Sequence, residues 1–193
     1  MLSNQCLETL FTKARSHNGW LKKEISDAQI TKIYDLMKYG PTAANSCPVR
    51  ITFVKSTKAK DRLKSHLNEG NVEKCITAPA VAIISYDVEF YEKLPYLFPH
   101  TDAKSWYQGN PEKIKSVGEM NATLQGAYFM MAARSIGLDC GPMGGFNNVS
   151  LDSEFFPDML TKSIFLCGIG YGDHDKVFSR LPRLSFEDVC AII

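Results

Sequence analysis

Apolar residues recur every three or four positions at Leu2, Cys6, Leu7, Leu10, Phe11 and Ala14, so the chain is predicted to open with an amphipathic helix. Ser26 followed by Gln29 reads as a capping box, and Ile30, Ile33, Tyr34 and Met37 carry one apolar face on to Gly40. The period then changes. Residues 50–56 alternate and are rich in branched side chains, which predicts a half-buried strand, and a polar helix follows over about 58–67. Residues 80–86 are almost continuously apolar, as expected of a central strand covered on both faces. The longest helical pattern runs over 117–136 through Met120, Leu124, Ala127, Tyr128, Met131, Ala132 and Ile136, and its many Ala, Gly and Met positions suit close packing across a subunit interface. Residues 163–171 read as a third strand, interrupted by glycines that admit another backbone.

The segments between these elements are more informative. Gly40 and Pro41 end the second helix and release residues 41–48 into a loop too polar for core, in which Thr42, Asn45 and Ser46 offer short donors and acceptors. Ala43 and Ala44 add no bulk there, so a planar molecule can approach the backbone. A second small-residue loop, 141–145, follows the long helix, and Gly144 and Gly145 present backbone amides with no side chain in front of them. The polar exit of the first helix, Arg15 to Gly19, is suited to an anion. Residues 90–110 are aromatic and proline-rich without a clean period, which reads as a lid or excursion. Residues 178–189 are too apolar for a free terminus and are expected to dock, either on their own sheet or on a partner subunit.

Composition narrows the classes. A chain of 193 residues, 45% hydrophobic, suits one globular domain over 1–193. Its 22 basic and 21 acidic residues leave a formal charge of +1, so neither nucleic acid nor an anionic membrane surface is expected as a partner. The six cysteines are scattered singly with no metal-ligand spacing, which suits reduced thiols in the cytoplasm, and no apolar stretch is long enough for a membrane span.

Several segments together carry a family resemblance: Ala14 to Trp20 (ARSHNGW), Leu97 to Asp102 (LFPHTD), Leu138 to Met143 (LDCGPM) and Arg180 to Phe186 (RLPRLSF). With these motifs the chain resembles the FMN-dependent, NAD(P)H-using nitroreductase family over essentially its whole length. It is most similar to the malonic semialdehyde reductase (3-hydroxypropionate dehydrogenase-like) branch associated with uracil catabolism. The resemblance implies an α+β fold with a mixed sheet flanked by helices, and a homodimer holding FMN at the subunit interface, with the C-terminal tail docked on the partner subunit. NADH or NADPH is the implied electron donor and a small molecule the acceptor.

Carried over by position, the resemblance assigns Arg15, Ser16, His17 and Arg183 to the phosphate end of the flavin. Thr42, Ala43 and Asn45 of the other subunit would contact the ring and ribityl chain, and Asn71 and Lys74 the polar edge, although Lys74 also reads as an ordinary surface lysine. Gly144 and Gly145 would present amides to N5 and O4. The chain departs from the family pattern at Ala14, Asn18 and Leu181, where basic residues are common, and at Cys47, where glutamine is common. Phosphate affinity then leans on Arg15 and Arg183, with Arg180 a further candidate. The implied chemistry is ping-pong hydride transfer through the flavin to an aldehyde of the malonic semialdehyde type, a nitroaromatic or a quinone. It requires no catalytic acid from the protein, though His17 or His100 could donate a proton. Two other readings stay open: FMN storage or sensing without turnover, and flavin-dependent dehydrogenation using oxygen.

Overall fold

The computed structural model describes residues 1–193. Strands β1 (Val49–Val54), β2 (Ala80–Asp87), β3 (Asp139–Met143) and β4 (Thr161–Gly170) form one sheet in the order β1-β2-β4-β3. All three pairings are antiparallel. The expected α+β class therefore holds, but within the chain the sheet is antiparallel rather than mixed, and parallel pairing is confined to an isolated bridge between Ser16 and Cys140.

Eight α-helices accompany the sheet: α1 (Asn4–Leu7), α2 (Asp27–Met37), α3 (Thr57–Lys64), α4 (Glu69–Thr77), α5 (Leu94–Leu97), α6 (Pro111–Ser135), α7 (Asn148–Phe155) and α8 (Phe186–Val189). The capping box at α2 is present as expected, with the Ser26 side chain accepting from Gln29 N and the Gln29 side chain accepting from Ser26 N. Helix α6 stops at a glycine in the left-handed region, Gly137 at φ +80°, and Leu138 N turns back to Ala133 O at 3.0 Å.

Strand β2 is buried on both faces, and its alternation divides the core. Ala80, Ala82 and Ile84 pack with Ile33, Met37 and Phe129 under α2 and α6, whereas Val81 and Ile83 pack with Leu63, Cys75 and Leu151 under α3, α4 and α7. A fully buried side chain such as Phe129 contributes about 1.5–3 kcal/mol by leaving water. Small residues set the helix-to-sheet distance: a Cβ on Gly118 would stand 2.5 Å from the Tyr86 ring, and one on Gly126 would stand 2.7 Å from Phe165.

Several segments differ from the sequence expectation or refine it. Residues 141–143, expected as loop, join Asp139 and Cys140 in strand β3, because Cys140, Gly141 and Met143 are buried against β4 despite their glycine and proline neighbours. Helices α4 and α7 were not legible as helices, since both are short and α7 is also weakly amphipathic. The opening helix is only four residues of α-helix, continued by a π turn over Glu8–Thr12, and neither part buries a residue. The excursion over 90–110 is short helical turns around its own small core of Phe90, Leu94, Ala103 and Tyr107.

Candidate functional site

A cleft of about 930 Å³ opens between residues 11–18, the C-terminal end of α6 and the start of the tail. Four guanidinium groups line it, from Arg15, Arg134, Arg180 and Arg183, together with Ser16. None of the four has a carboxylate partner. They donate to backbone carbonyls instead: Arg15 to Phe178 O at 2.5 Å, Arg180 to Thr12 O at 2.8 Å and Ala14 O at 3.1 Å, and Arg183 to Leu181 O and Pro182 O. Arg134 Nε is buried with no partner, while its Nη1 reaches Leu10 O at 3.2 Å. Cations gathered without acids favour an anion, and forked guanidiniums suit a phosphate. Arg134 was not singled out by the sequence, because an arginine near a helix C-terminus looks like a solvated charge favoured by the helix dipole.

Strand β3 leads from this cleft to a second group. The Ser16–Cys140 bridge and the His17 N to Cys140 O bond of 3.0 Å hold the first segment against the start of β3. At the far end, Lys74 Nζ donates to Pro142 O at 3.2 Å and Asn71 Nδ2 to Gly145 O at 2.9 Å. Lys74 is 8% exposed, so the surface-lysine reading does not hold. Burial pulls its pKa below the ordinary lysine value, with Cys167 and Cys75 opposing it. Nothing lies within 4 Å of where a Cβ on Gly144 would stand, so its amide edge is bare. Gly145 is different, since a Cβ there would meet Asn71 Nδ2 at 2.6 Å.

The loop at 42–47 is built apart from these groups. Ala44, Asn45 and Cys47 all have positive φ, at 50°, 49° and 43°. Such backbone persists only where its surroundings hold it. Here Thr42 Oγ1 accepts from Cys47 N at 3.1 Å, Asn121 Oδ1 accepts from Ala43 N at 2.7 Å, and Gln125 Oε1 accepts from Val49 N at 3.0 Å. Asn121 and Gln125 are buried polar residues four apart on an otherwise apolar helix face, and that interruption was the available sequence signal. Asn45 Nδ2 also donates to Leu97 O at 2.9 Å, which ties the loop to the aromatic excursion where Phe98 meets His100 and Trp106 edge-on.

Within one chain the loop and the arginine cleft do not meet. Asn121 and Arg134 are thirteen residues apart on α6, about 20 Å at 1.5 Å per residue. From beside Asn121 toward Arg134, Met120, Leu124 and Tyr128 leave an apolar stripe on α6 that is 55%, 47% and 44% exposed, along a groove of about 720 Å³. The His17 imidazole turns into the interior, fully buried, rather than into the arginine cleft.

An α+β fold thus places an acid-free arginine cleft, suited to an anion, beside a glycine-edged strand. Solved structures share the architecture: a nitroreductase, ydfN, from Bacillus subtilis superposes with a TM-score of 0.87 over 95% of this chain and 97% of that one at 19% identity. A nitroreductase from Exiguobacterium sibiricum, solved in complex with FMN, gives 0.85 over 100% and 99% at 18% identity. In sequence, residues 12–171 match the model of the nitroreductase family. The chain is also 50% identical, over 100% of both lengths, to the Ralstonia pickettii protein named NADH dehydrogenase/NAD(P)H nitroreductase HadB. A Rhodopseudomonas palustris protein of the same general name is 52% identical, covering 97% of this chain and 95% of its own. The chain belongs to the nitroreductase family.

Proposed function

We propose that the chain is an FMN-dependent NAD(P)H oxidoreductase that acts as a homodimer. The observation that carries this reading is the arginine cleft, where four guanidiniums without a carboxylate leave room and charge for a phosphate. Arg15, Ser16 and Arg183 would hold the phosphate, joined by Arg180. Asn71 and Lys74 would serve the polar edge of the ring, and Gly144 and Gly145 would offer it their amides. Thr42, Ala43 and Asn45 would complete the site from the second copy. The donor set fits the group: forked cations for a dianion, a buried ammonium beside an electron-rich edge, and a bare glycine amide.

FMN bound there supplies the hydride chemistry that passes electrons from a nicotinamide to an acceptor. The protein's own part is to anchor and orient. Lys74, whose charge is disfavoured by burial, gains from a ligand edge that accepts negative charge. The exposed stripe on α6 supports the dimer, because a two-fold axis near its middle would bring the 42–47 loop of one copy toward the cleft of the other. The tail supports it too: Phe178, Leu181, Leu184, Phe186 and Val189 are exposed on the lone chain, while the edge strand β1 is only partly buried at five of its six residues. Both await a covering surface, as expected for a tail that docks on the partner subunit.

For the acceptor we propose a small aldehyde of the malonic semialdehyde type, with nitroaromatics or quinones as further acceptors. The excursion over 90–110 adjoins the 42–47 loop through Asn45 and would shape that pocket with Phe98, His100 and Trp106. The six cysteines form no disulfide, which fits the cytoplasm as its compartment, and no helix is long and apolar enough to cross a membrane. Anaerobic stopped-flow mixing of FMN-reconstituted protein with NADH and with NADPH tests the reading. Rapid bleaching of the flavin band and its return on adding malonic semialdehyde is the expected result. Bound FMN that never bleaches would overturn turnover and leave storage or sensing.

A further inference from the structure

His17 is fully buried, and its ring lies between Asp139 at the start of β3 and the chain that follows β4 at Gly172 and His174. Its Nε2 lies 3.3 Å from Asp139 Oδ1, within ion-pair range though not in hydrogen-bond alignment. Asp139 opens β3, and its other oxygen, Oδ2, accepts from Gly172 N at 2.9 Å. On the opposite side Nδ1 has no polar partner and presses against Gly172, where a Cβ would stand only 2.0 Å away. The ring meets His174 edge-on at 5.2 Å and Trp20 at 6.2 Å. The backbone follows the same pattern, with Leu21 N bonded to Tyr171 O at 2.8 Å and Asp173 N to Gly19 O at 3.0 Å.

One imidazole therefore joins residues 12–18, the start of β3 and the chain after β4. The first of these carries Arg15 and Ser16, and the third continues into Phe178, Arg180 and Arg183. Arg15 and Arg180 bridge the same two segments from above, through Phe178 O, Thr12 O and Ala14 O. The cleft thus has a floor as well as a rim. Burial alone would push the Asp139 carboxyl up, but the His17 ring, the Gly172 amide and His174 together hold it below the ordinary carboxylate value.

We propose that the His17–Asp139 pair is a positioning device that sets Arg15 and Ser16 against Arg180 and Arg183, and so fixes the phosphate geometry from beneath without touching the ligand. This rests on the FMN reading above. It replaces a direct contact from His17 with an indirect one, and it makes Asp139 and Gly172 part of the site's support. The facing groups are Asp139 from β3 and His174 from the turn after β4, with Lys74 and Lys176 next in reach through Gly141 and Gly19.

The test is a double-mutant cycle on FMN affinity, read by fluorescence quenching at fixed salt and pH. His17→Gln and Asp139→Asn should each raise Kd at least about tenfold with the far-UV spectrum unchanged, the effect expected when a charge-assisted phosphate contact is misplaced. In an Arg15→Ala background the same substitutions should add less than about twofold, because the residue they position is gone. A merely structural role would give full additivity, and additive effects would overturn the proposal. So would wild-type affinity in both single variants. If His17→Gln does not fold, Asp139→Asn decides, since that carboxylate is one-third exposed and its amide keeps the shape. Wild-type protein that binds no FMN would defeat the cofactor reading itself, an outcome distinct from wild-type binding with indifferent variants.

Discussion

Replacing Arg183 by alanine isolates the phosphate contact from the fold. In the lone chain Arg183 donates only to Leu181 O and Pro182 O, both within two residues of itself, at 3.1 and 3.0 Å. Removing an exposed side chain with such local bonds should change stability by no more than about 0.5 kcal/mol. A hydrogen bond to a charged group contributes about 1.5–3 kcal/mol, which is roughly 10- to 150-fold in Kd for FMN. Titration of FMN fluorescence at low and high salt would read this directly, and the gap between wild type and variant should narrow as salt rises. Arg180→Ala is the informative contrast. Its Nη2 ties the tail to Thr12 O and Ala14 O, so its loss should loosen that tie as well as weaken binding. An Arg183→Ala Kd within twofold of wild type would refute the phosphate assignment, whatever Arg180 does.

Three further outcomes are expected. Gly144→Ala should leave Tm within about 2 °C of wild type, because open space surrounds the new methyl, while FMN affinity falls at least about fivefold; an unaffected Kd would remove Gly144 from the site. Leu124→Asp, in the middle of the exposed α6 stripe, should give a folded monomer by light scattering that retains little FMN, and a persistent dimer would move the interface elsewhere. Asp139 titrates below its ordinary value of 3.8, so its stabilisation is fully present above that value and lost as pH falls through the depressed one; urea midpoints should drop more steeply with acid in wild type than in Asp139→Asn.

Where the hydrophobic period was long, the sequence was a good guide to structure. Helix α2 with its capping box, the doubly buried β2 and the long α6 all follow from local pattern, because their burial repeats along the chain. Strand β3 escaped for a physical reason: Gly141 and Pro142 look like turn residues, yet β4 on one side and the His17 segment beside it supply the pairing from far away in sequence. Motif resemblance indicated the arginines and glycines, but not how Arg134, Asp139 and Gly172 support them. Those roles come from tertiary neighbours alone. His17 shows the difference most clearly, since its position in a ligand-bearing motif says nothing about which way its ring faces.

The separation of the 42–47 loop from the arginine cleft along α6 has a genetic counterpart. In the proposed homodimer, a chain defective at the loop and a chain defective at Arg183 would each spoil both sites of its own dimer, because every site would take its loop from one copy and its cleft from the other. Co-expressed, they would complement: a mixed dimer assembles one doubly damaged site and one built wholly from sound halves. With random pairing about a quarter of all sites would be intact. Two inactive alleles would then yield a working enzyme, and selection on this protein would act on pairs of chains rather than on either alone.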